Sequence, residues 1–303
     1  MRFKTKTARA VLQILVLLFI FSGCTSSANK FSDGAFLRVD YVDVGQADFI
    51  VVECDGEVMT IDGGNAEDSR IVREYLAGRG IDTVDIVIIT HPHEDHYGGV
   101  KTIFDNTDVE SVYCSSTDCD TTTFRNLMNA IKAEGLEIKT PVPGETFSLG
   151  SAQVQILGPV RNTYDDVNDL SIVVKVTYGE TSFLFTGDAE RYAENDILSS
   201  GFDVSADVLK VGHHGSASST TYPWLKAIAP KYAVILSDRV EKPEYNHPHE
   251  DVVSRLRDAD VTVYRTDLQG TVTCITNGTE YAFMVEKNPN ADTLYDAGAG
   301  GNH

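Results

Sequence analysis

Three imidazoles and two carboxylates stand in six consecutive residues, HPHEDH, directly after an apolar run that is typical of a buried strand. Residues two apart at a strand end point to the same side, so His91 and His93 can bind one ion. Asp95 and His96 stand at the predicted start of a helix and can face a second ion beside the first. The alternation turns Glu94 away from the metal, toward solvent or a structural partner. The loop therefore predicts a metal centre.

Three later segments also place polar side chains where strands are predicted to end. Asp188 follows an apolar strand at a glycine turn, in position to bridge two cations; the simpler interpretation of a Gly-Asp pair is an ordinary turn. His213 and His214 follow another apolar strand and suggest one ligand and one substrate contact rather than packing. His247 and His249 stand before a helix whose N-terminal amides favour an anion. These segments supply the remaining ligands that a metal centre needs.

The elements around these segments indicate an α/β protein. The 303 residues are 42% hydrophobic and 9% aromatic, which is typical of a globular chain. Strands and helices alternate in two similar halves, and helices outside two packed sheets would satisfy this order. We predict one globular domain over 36–286 and a flexible polar tail over 287–303. A helix is predicted from His96 to about Phe104, with Gly98-Gly99 allowing close backbone approach.

The N-terminus has the pattern of a secretory signal. Four basic residues precede an apolar run that is too short to span a membrane comfortably, and a small-Gly-Cys sequence follows. We predict a lipoprotein signal peptide over 1–23, lipidation at Cys24 and a linker over 24–35. The alternative is an uncleaved anchor helix. Both place the domain outside the cytoplasm, on the extracellular face of the membrane, with the membrane as one partner.

The charge balance limits the partners. The chain has 25 Lys and Arg against 45 Asp and Glu, a net charge of -20, and cleavage after 23 would remove four bases and no acids, giving -24. No basic stripe of the kind that drives non-specific duplex binding is present, so contact with nucleic acid must depend on bound metal. Of the cysteines, Cys54 and Cys274 are predicted as core residues. A disulfide between Cys114 and Cys119 is compatible with export.

Several motifs together resemble the metallo-β-lactamase superfamily, and specifically the extracellular hydrolase domain of ComEC-type competence proteins. The matching segments are DVGQAD at 43–48, IDGG at 61–64, THPHEDHYGG at 90–99, TGD at 186–188, ADVLKVGHHGS at 206–216, HPH at 247–249 and YRTD at 264–267. The resemblance implies an αββα sandwich, two mixed sheets with outer helices, and a two-metal site at one edge.

The resemblance also implies a ligand set. It assigns His91, His93 and His213 to one metal, Asp95 and His96 to the other, and Asp188 to a bridge between them. Where the superfamily usually has a further histidine, this chain has Asn168, a weaker neutral ligand, so the second ion is expected to be loosely held. The cofactors are therefore two divalent ions, Zn or Mn. Asp62 resembles the carboxylate that orients the histidine loop.

This ligand set implies a mechanism for phosphodiester cleavage. Two divalent ions would activate a water and hold phosphoryl oxygens, with Asp95 orienting the water. His247 is the candidate that serves the leaving oxygen, as a proton donor or positive partner. His214, Ser216 and His249 are the candidate substrate contacts. Asp95 and His247 are thus the expected catalytic residues.

The leading hypothesis is an exported, lipid-anchored phosphodiesterase, a nuclease of the ComEC type that acts on extracellular DNA, single-stranded DNA in particular. One alternative keeps the chemistry and changes the substrate to a cell-wall polymer, with teichoic acid or phosphocholine esters. The other is a lipoprotein that binds metal without turnover. Which protein partners the chain has is unknown from the sequence.

Overall fold

The computed structural model describes residues 36–240 and 243–295. The described residues belong to one compact unit. The predicted signal peptide, the linker up to residue 35 and the lipidation site Cys24 lie outside the described residues. Within the described ranges, no helix has both the length and the apolar character that crossing a membrane requires.

The described residues form seventeen strands. They are β1 Leu37–Tyr41, β2 Phe49–Cys54, β3 Glu57–Asp62, β4 Thr83–Val84, β5 Ile86–Ile89, β6 Asp108–Val109, β7 Val112–Cys114, β8 Ile138–Lys139, β9 Thr146–Leu149, β10 Ala152–Gly158, β11 Val173–Tyr178, β12 Thr181–Phe185, β13 Val208–Lys210, β14 Tyr232–Ile235, β15 Thr262–Arg265, β16 Val272–Thr276 and β17 Tyr281–Val285.

Helices connect these strands. They are α1 Ser69–Arg79, α2 Glu94–Tyr97, α3 Val100–Asn106, α4 Thr122–Ala133, α5 Arg191–Ser200, α6 Tyr222–Ile228, α7 Glu250–Asp258 and α8 Thr266–Gln269, with 3₁₀ turns at Ala66–Asp68, Val167–Leu170 and Gly212–Gly215.

Fifteen of the described strands form two large sheets. One has the order β17-β16-β1-β2-β3-β5-β7-β8 and the other β15-β14-β13-β12-β11-β10-β9. In the first, β3, β5, β7 and β8 run parallel, and in the second β12 to β15 do. Because parallel strands end at the same edge of a sheet, the loops that follow β5, β12, β13 and β14 can meet there.

Three apolar clusters fill the space between four layers. One lies between the sheets and includes Tyr41, Ile61, Val174 and Phe185. A second packs α1, α3 and α4 against the outer face of the first sheet, and a third packs α5, α6 and α7 against the second sheet. The predicted αββα sandwich is therefore confirmed.

The chain interrupts the predicted helix over 96–104 at its two glycines. A Cβ on Gly98 would lie 2.4 Å from the nitrogen of Ala66, and one on Gly99 would lie 2.0 Å from the oxygen of Gly63. The predicted close approach is confirmed, and it divides the segment into α2 and α3. The approach lets the Gly63 amide donate to the His96 carbonyl at 2.8 Å, which ties the histidine loop to the end of β3.

One buried carboxylate joins two helices of the second half. Glu194 in α5 is 1% exposed and accepts hydrogen bonds from the Thr221 amide at 3.1 Å and the Thr221 hydroxyl at 2.5 Å. Thr221 precedes the first residue of α6, so the contact fixes α6 against α5. Burial raises the pKa of Glu194 to about 7, although the hydrogen bonds from Thr221 act in the opposite direction.

One expectation needs correction. Residues 287–295, the first part of the predicted flexible tail, are docked: the Thr293 hydroxyl donates to the Val263 carbonyl at 2.8 Å, and Leu294 packs against the third apolar cluster. Cys114 and Cys119, whose pairing the sequence leaves open, are free thiols in the structure. The Cys114 thiol is buried and donates to the Ser116 carbonyl at 3.0 Å instead.

Candidate metal centre

The first histidine loop follows β5 and turns its side chains into one edge of the sandwich. Nε2 of His91 lies 3.1 Å from Nδ1 of His93, so the two imidazoles converge as the alternation predicts. His91 is fully buried. Burial, and to a smaller extent the nearby His96 ring, lowers the pKa of His91 well below its usual value. Glu94 accepts from the Ala66 amide at 2.8 Å, which is the structural partner predicted for it.

Asp62 orients this loop from the end of the neighbouring strand β3. Its fully buried carboxylate accepts from the Thr90 amide at 2.8 Å and the Thr90 hydroxyl at 2.6 Å, and it lies 2.7 Å from Nδ1 of His96. A carboxylate at this distance accepts a hydrogen bond from Nδ1–H, so the neutral His96 ring turns the lone pair of its Nε2 toward the cluster. Asp62 thus occupies the place that the resemblance implies.

Four side chains from three separate segments bring their ligand atoms within 4.8 Å of one another: Asp95, His96, Asp188 and His214. Oδ2 of Asp188 lies 3.3 Å from Nε2 of His96 and 3.5 Å from Nε2 of His214. Nε2 of His214 also lies 3.3 Å from Oδ2 of Asp95. Nδ1 of His214 is 3.0 Å from the Leu236 carbonyl, which can only accept, so that Nε2 carries the lone pair whenever the ring is neutral, as a metal ligand must be.

This arrangement departs from the predicted roles of the histidine pair. His214, expected as a substrate contact, joins the ligand cluster, while His213, expected as a ligand, has its Nε2 at 3.7 Å from Oδ2 of Asp188. Both residues have a positive φ, 48° and 53°, so the tight turn points their rings in different directions. The ion site formed by Asp95 and His96 therefore has more ligands than the site formed by His91 and His93. This is the reverse of the expected asymmetry.

Glu190, which the sequence analysis does not single out, organises the other side of the centre. One carboxylate oxygen, Oε1, lies 3.0 Å from Nδ1 of His213, 2.6 Å from the Ser218 hydroxyl and 3.4 Å from the amide nitrogen of Asn168. This orientation leaves the amide oxygen of Asn168 buried and without a hydrogen bond. Asn168 is therefore presented as an oxygen donor, as its predicted ligand role requires.

The residues fit divalent cations. Nε2 of His96, Nε2 of His214 and Oδ1 of Asp188 are buried and have no hydrogen-bond partner, a costly arrangement unless a ligand satisfies these atoms. Burial disfavours a charged His214, yet Asp188 and Asp48 outweigh it and raise the pKa of the ring to about 10. A site whose negative charge favours protonated imidazole also favours a cation. The donors, imidazole and carboxylate, suit zinc and manganese.

Lys210 balances part of this negative charge from within the core. Its fully buried Nζ lies 2.5 Å from Oδ2 of Asp48, donates to the Gly187 carbonyl at 2.8 Å and lies 3.7 Å from Oδ1 of Asp188. Asp48, Asp62 and His96 also form a second group with ligand spacing. In that group, however, the Asp48 carboxylate is already paired with the Lys210 ammonium. The signal for Lys210 was its place as the one charged residue at the end of an otherwise apolar strand, β13.

A cleft of about 400 Å³ opens above the ligand cluster. Its walls are Gln46, Asn65, His93, Glu94, Asp95, Asp188, His213, His214, Tyr245 and His247. Tyr245 is 53% exposed and its ring stacks on that of His247, with centroids 5.8 Å apart and planes at 20°. Burial, with the neighbouring His214 and His213, lowers the pKa of His247 to about 3. His247 is therefore neutral at physiological pH.

Two predicted substrate contacts lie outside the cleft. Nδ1 of His249 accepts from the Ala217 amide at 2.9 Å, and its Nε2 lies 3.1 Å from the Tyr245 carbonyl, so both ring nitrogens hold loops together. The Ser216 hydroxyl pairs with that of Ser218 at 2.9 Å inside the turn. Neither residue lines the cleft, and both predictions are corrected to structural roles.

The comparisons with known proteins agree with this geometry. A family model described as the metallo-β-lactamase superfamily matches residues 42–237. ComE operon protein 3 of Bacillus subtilis is 28% identical over 277 residues, which are 86% of this chain and 34% of that protein. Recombination protein 2 of Haemophilus influenzae is 29% identical over 240 residues, 78% of this chain and 28% of that protein. The chain thus spans about a third of the length of these relatives.

Two solved structures share the fold. The diiron β-hydroxylase CmlA from Streptomyces venezuelae has a TM-score of 0.53 at 18% identity, with 80% of this chain and 54% of that chain covered. The metallo-β-lactamase fold protein YhfI from Bacillus subtilis has a TM-score of 0.51 at 13% identity, with 76% and 96% covered.

Proposed function

Since the chain belongs to the metallo-β-lactamase superfamily, we propose that it is an exported, lipid-anchored, metal-dependent phosphodiesterase that cleaves single-stranded DNA. The observation that carries the proposal is the convergence of Asp95, His96, Asp188 and His214 at the floor of an open cleft. Two bound divalent ions supply Lewis acidity and charge for attack of water on a phosphodiester. The N-terminal signal pattern supports export, and the similarity to Recombination protein 2, with the resemblance to ComEC-type proteins, supports DNA as the substrate.

Asp95 and His247 are the side chains to which we assign the other catalytic roles. Asp95 is 30% exposed at the side chain while Asp188 is 2% exposed, so Asp95 is the carboxylate that a water in the cleft can reach. We assign it the orientation of the attacking water. His247, neutral and at the wall of the cleft, donates a hydrogen bond to a substrate oxygen and carries no charge.

The electrostatics of the cleft make substrate binding depend on cations. Glu94, Asp95 and Asp188 contribute three carboxylates, and none of the described residues that line the cleft is Lys or Arg. A phosphate therefore meets repulsion unless bound ions reverse the local charge. DNA binding should accordingly be lost when the protein is treated with a chelator, whatever the salt concentration.

Tyr245 favours a single strand over a duplex. An exposed ring at the mouth of the cleft, supported from behind by His247, can stack on an unpaired base, and such stacking contributes about 1–3 kcal/mol per base. The same ring beside carboxylates could receive the quaternary ammonium of a phosphocholine ester through a cation–π contact. Choline esters are therefore the substrates against which DNA must be compared.

The decisive assay offers the purified full chain a chromogenic phosphodiester, bis-p-nitrophenyl phosphate, with manganese, with zinc or with neither. Single-stranded DNA, duplex DNA, teichoic acid and a phosphocholine ester are then compared side by side. We expect metal-dependent turnover and the highest kcat/KM on single-stranded DNA. His93→Ala and Asp188→Ala should abolish it, whereas the surface variant Asp105→Asn should not. Full activity of the His93 variant would reject the site, and preference for teichoic acid would reject the substrate.

Tyr245→Leu tests the substrate assignment separately. It should weaken binding of single-stranded DNA by roughly tenfold, in line with the loss of one stacked base, and leave the hydrolysis of bis-p-nitrophenyl phosphate unchanged. Tyr192→Leu is the matched control, because Tyr192 is 61% exposed and lies outside the cleft. Equal DNA affinity in the two variants would contradict a stacking role.

A further inference from the structure

We propose that Gln46 is a positioning residue that sets the tautomer of His247, so that the cleft receives a neutral Nε2–H donor. Gln46 follows β1 in the first half of the chain, and His247 precedes α7 in the second half. Nε2 of the Gln46 amide lies 3.0 Å from Nδ1 of His247. The inference concerns the resting protein and extends to catalysis only through the proposed function.

A backbone group fixes which way the Gln46 amide faces. The amide N–H of Asp238 donates to Oε1 of Gln46 at 3.1 Å. A backbone N–H can only donate, so the side-chain oxygen must face Asp238 and the NH₂ group must face His247. If the oxygen and nitrogen of the amide were exchanged, the NH₂ group of Gln46 would face the backbone N–H of Asp238, and two donors would meet.

The orientation of the amide then determines where the imidazole carries its proton. The NH₂ group of Gln46 can only donate, so Nδ1 of His247 must accept with its lone pair. A neutral imidazole has a single N–H, which this arrangement places on Nε2. Gln46 and His247 are 3% and 5% exposed, so water does not compete well for either hydrogen bond.

The two hydrogen bonds from Asp238 to Gln46 and from Gln46 to His247 form a relay. This relay determines which polar group of His247 a substrate can contact. Nδ1 is occupied by Gln46, which leaves Nε2–H as the ring's polar group available to the cleft. A neutral N–H stabilises an oxygen that gains negative charge by hydrogen bonding, with no change in its own protonation. The expectation that His247 supplies a proton or a positive charge is thereby replaced by a fixed donor, and the residue that fixes it comes from the other half of the chain.

Nitrogen NMR of the full chain labelled with ¹⁵N-histidine tests the relay directly. In long-range ¹H–¹⁵N spectra an unprotonated ring nitrogen resonates far downfield of a protonated one, and the His247→Asn variant identifies the ring's signals. The spectra are recorded with zinc, which is diamagnetic. We expect Nδ1 of His247 to be unprotonated and Nε2 protonated at neutral pH.

Gln46→Glu should reverse this pattern. One carboxylate oxygen still accepts from Asp238, but the other now requires a donor, so the proton should appear on Nδ1. Gln46→Met removes the donor at similar volume and should give mixed tautomers, which keeps the test open if the glutamate variant does not fold. Gln269→Glu is the matched control: Gln269 is 3% exposed, accepts from the Arg265 amide at 3.0 Å and lies outside the cleft. It should leave the His247 signals unchanged.

A proton on Nδ1 in the unmodified protein, or an unchanged His247 spectrum in folded Gln46→Glu and Gln46→Met, would overturn the relay. If the proposed function holds, Gln46→Glu should also reduce kcat on bis-p-nitrophenyl phosphate by roughly 10²-fold, the loss typical of one preorganised donor, with a smaller change in KM. Absence of any turnover in the unmodified protein would reject the proposed function and leave the NMR result intact.

Discussion

Replacing Lys210 with methionine tests how strongly the buried charges beneath the metal centre depend on one another. The Nζ of Lys210 has no exposed surface and lies 2.5 Å from the Asp48 carboxylate, which is 1% exposed. Methionine is unbranched and fills similar space, so the substitution removes the charge with little loss of packing. It leaves the carboxylates of Asp48 and Asp188 buried without their ammonium partner.

The expected cost follows from burial. Removing one member of a buried ion pair typically destabilises a protein by about 3–5 kcal/mol, because the remaining charge stays out of water and loses its partner. The imidazole of His214, with Nδ1 at 3.4 Å from Oδ1 of Asp48, offsets part of this loss. The control is Lys101→Met, which breaks the exposed pair with Asp105, 42% and 50% exposed at the side chains. Exposed pairs four residues apart on a helix contribute about 0.3–0.5 kcal/mol.

Urea unfolding in EDTA measures both variants against the parent protein. EDTA is needed because divalent cations bind the same carboxylates and would compensate for the lost ammonium; adding zinc should therefore narrow the deficit of Lys210→Met. A loss below about 1 kcal/mol for Lys210→Met in EDTA, indistinguishable from Lys101→Met, would refute the view that Lys210 neutralises the buried carboxylates.

Since the pKa of Glu194 is raised to about 7 from an ordinary 4.5, the folded state binds more protons between these pH values; the free energy of unfolding should fall by about 3 kcal/mol as pH rises through this window. Urea unfolding across the window should show that this fall is smaller in Glu194→Gln, and identical slopes would contradict the assignment. Glu190→Gln should weaken metal affinity by roughly 10–100-fold, because Glu190 orients His213 and Asn168; calorimetric titration with zinc, beside the exposed-site control Glu137→Gln, measures it, and equal affinities would reject that role. Saturating zinc, at about 100 times its Kd, should raise the free energy of unfolding by about 2.7 kcal/mol over the EDTA-treated protein, and no change in the urea midpoint would count against a preformed site.

The fold and the first part of the site could be predicted because both depend on local patterns. The apolar run before His91 forms β5 with all four residues buried, and the alternation that follows brings His91 and His93 together at 3.1 Å. The break at Gly98–Gly99 is also local, since only glycine permits the approach to Gly63. Patterns of period two and period 3.6 are properties of neighbouring residues, so a sequence displays them directly.

The roles of residues in the later loops could not be predicted in the same way. The turn with two positive φ angles determines that His214 rather than His213 enters the four-residue cluster. His249, which stands as favourably in the sequence as His247, uses both ring nitrogens on backbone groups. Neighbours in sequence point in different directions at such turns, and spacing alone does not distinguish them.

The sequence by itself therefore determined the architecture, the existence of a metal centre and the residues of its first loop, because hydrophobic periodicity and strand-end spacing act over a few residues. Only the tertiary structure decided which groups support that centre. Lys210 pairs with Asp48, Glu190 contacts Asn168, and Gln46 contacts His247, which lies 201 positions further along the chain. These contacts arise because parallel strands from both sheets end at one edge, where buried polar groups must find partners among the residues that the fold brings within reach.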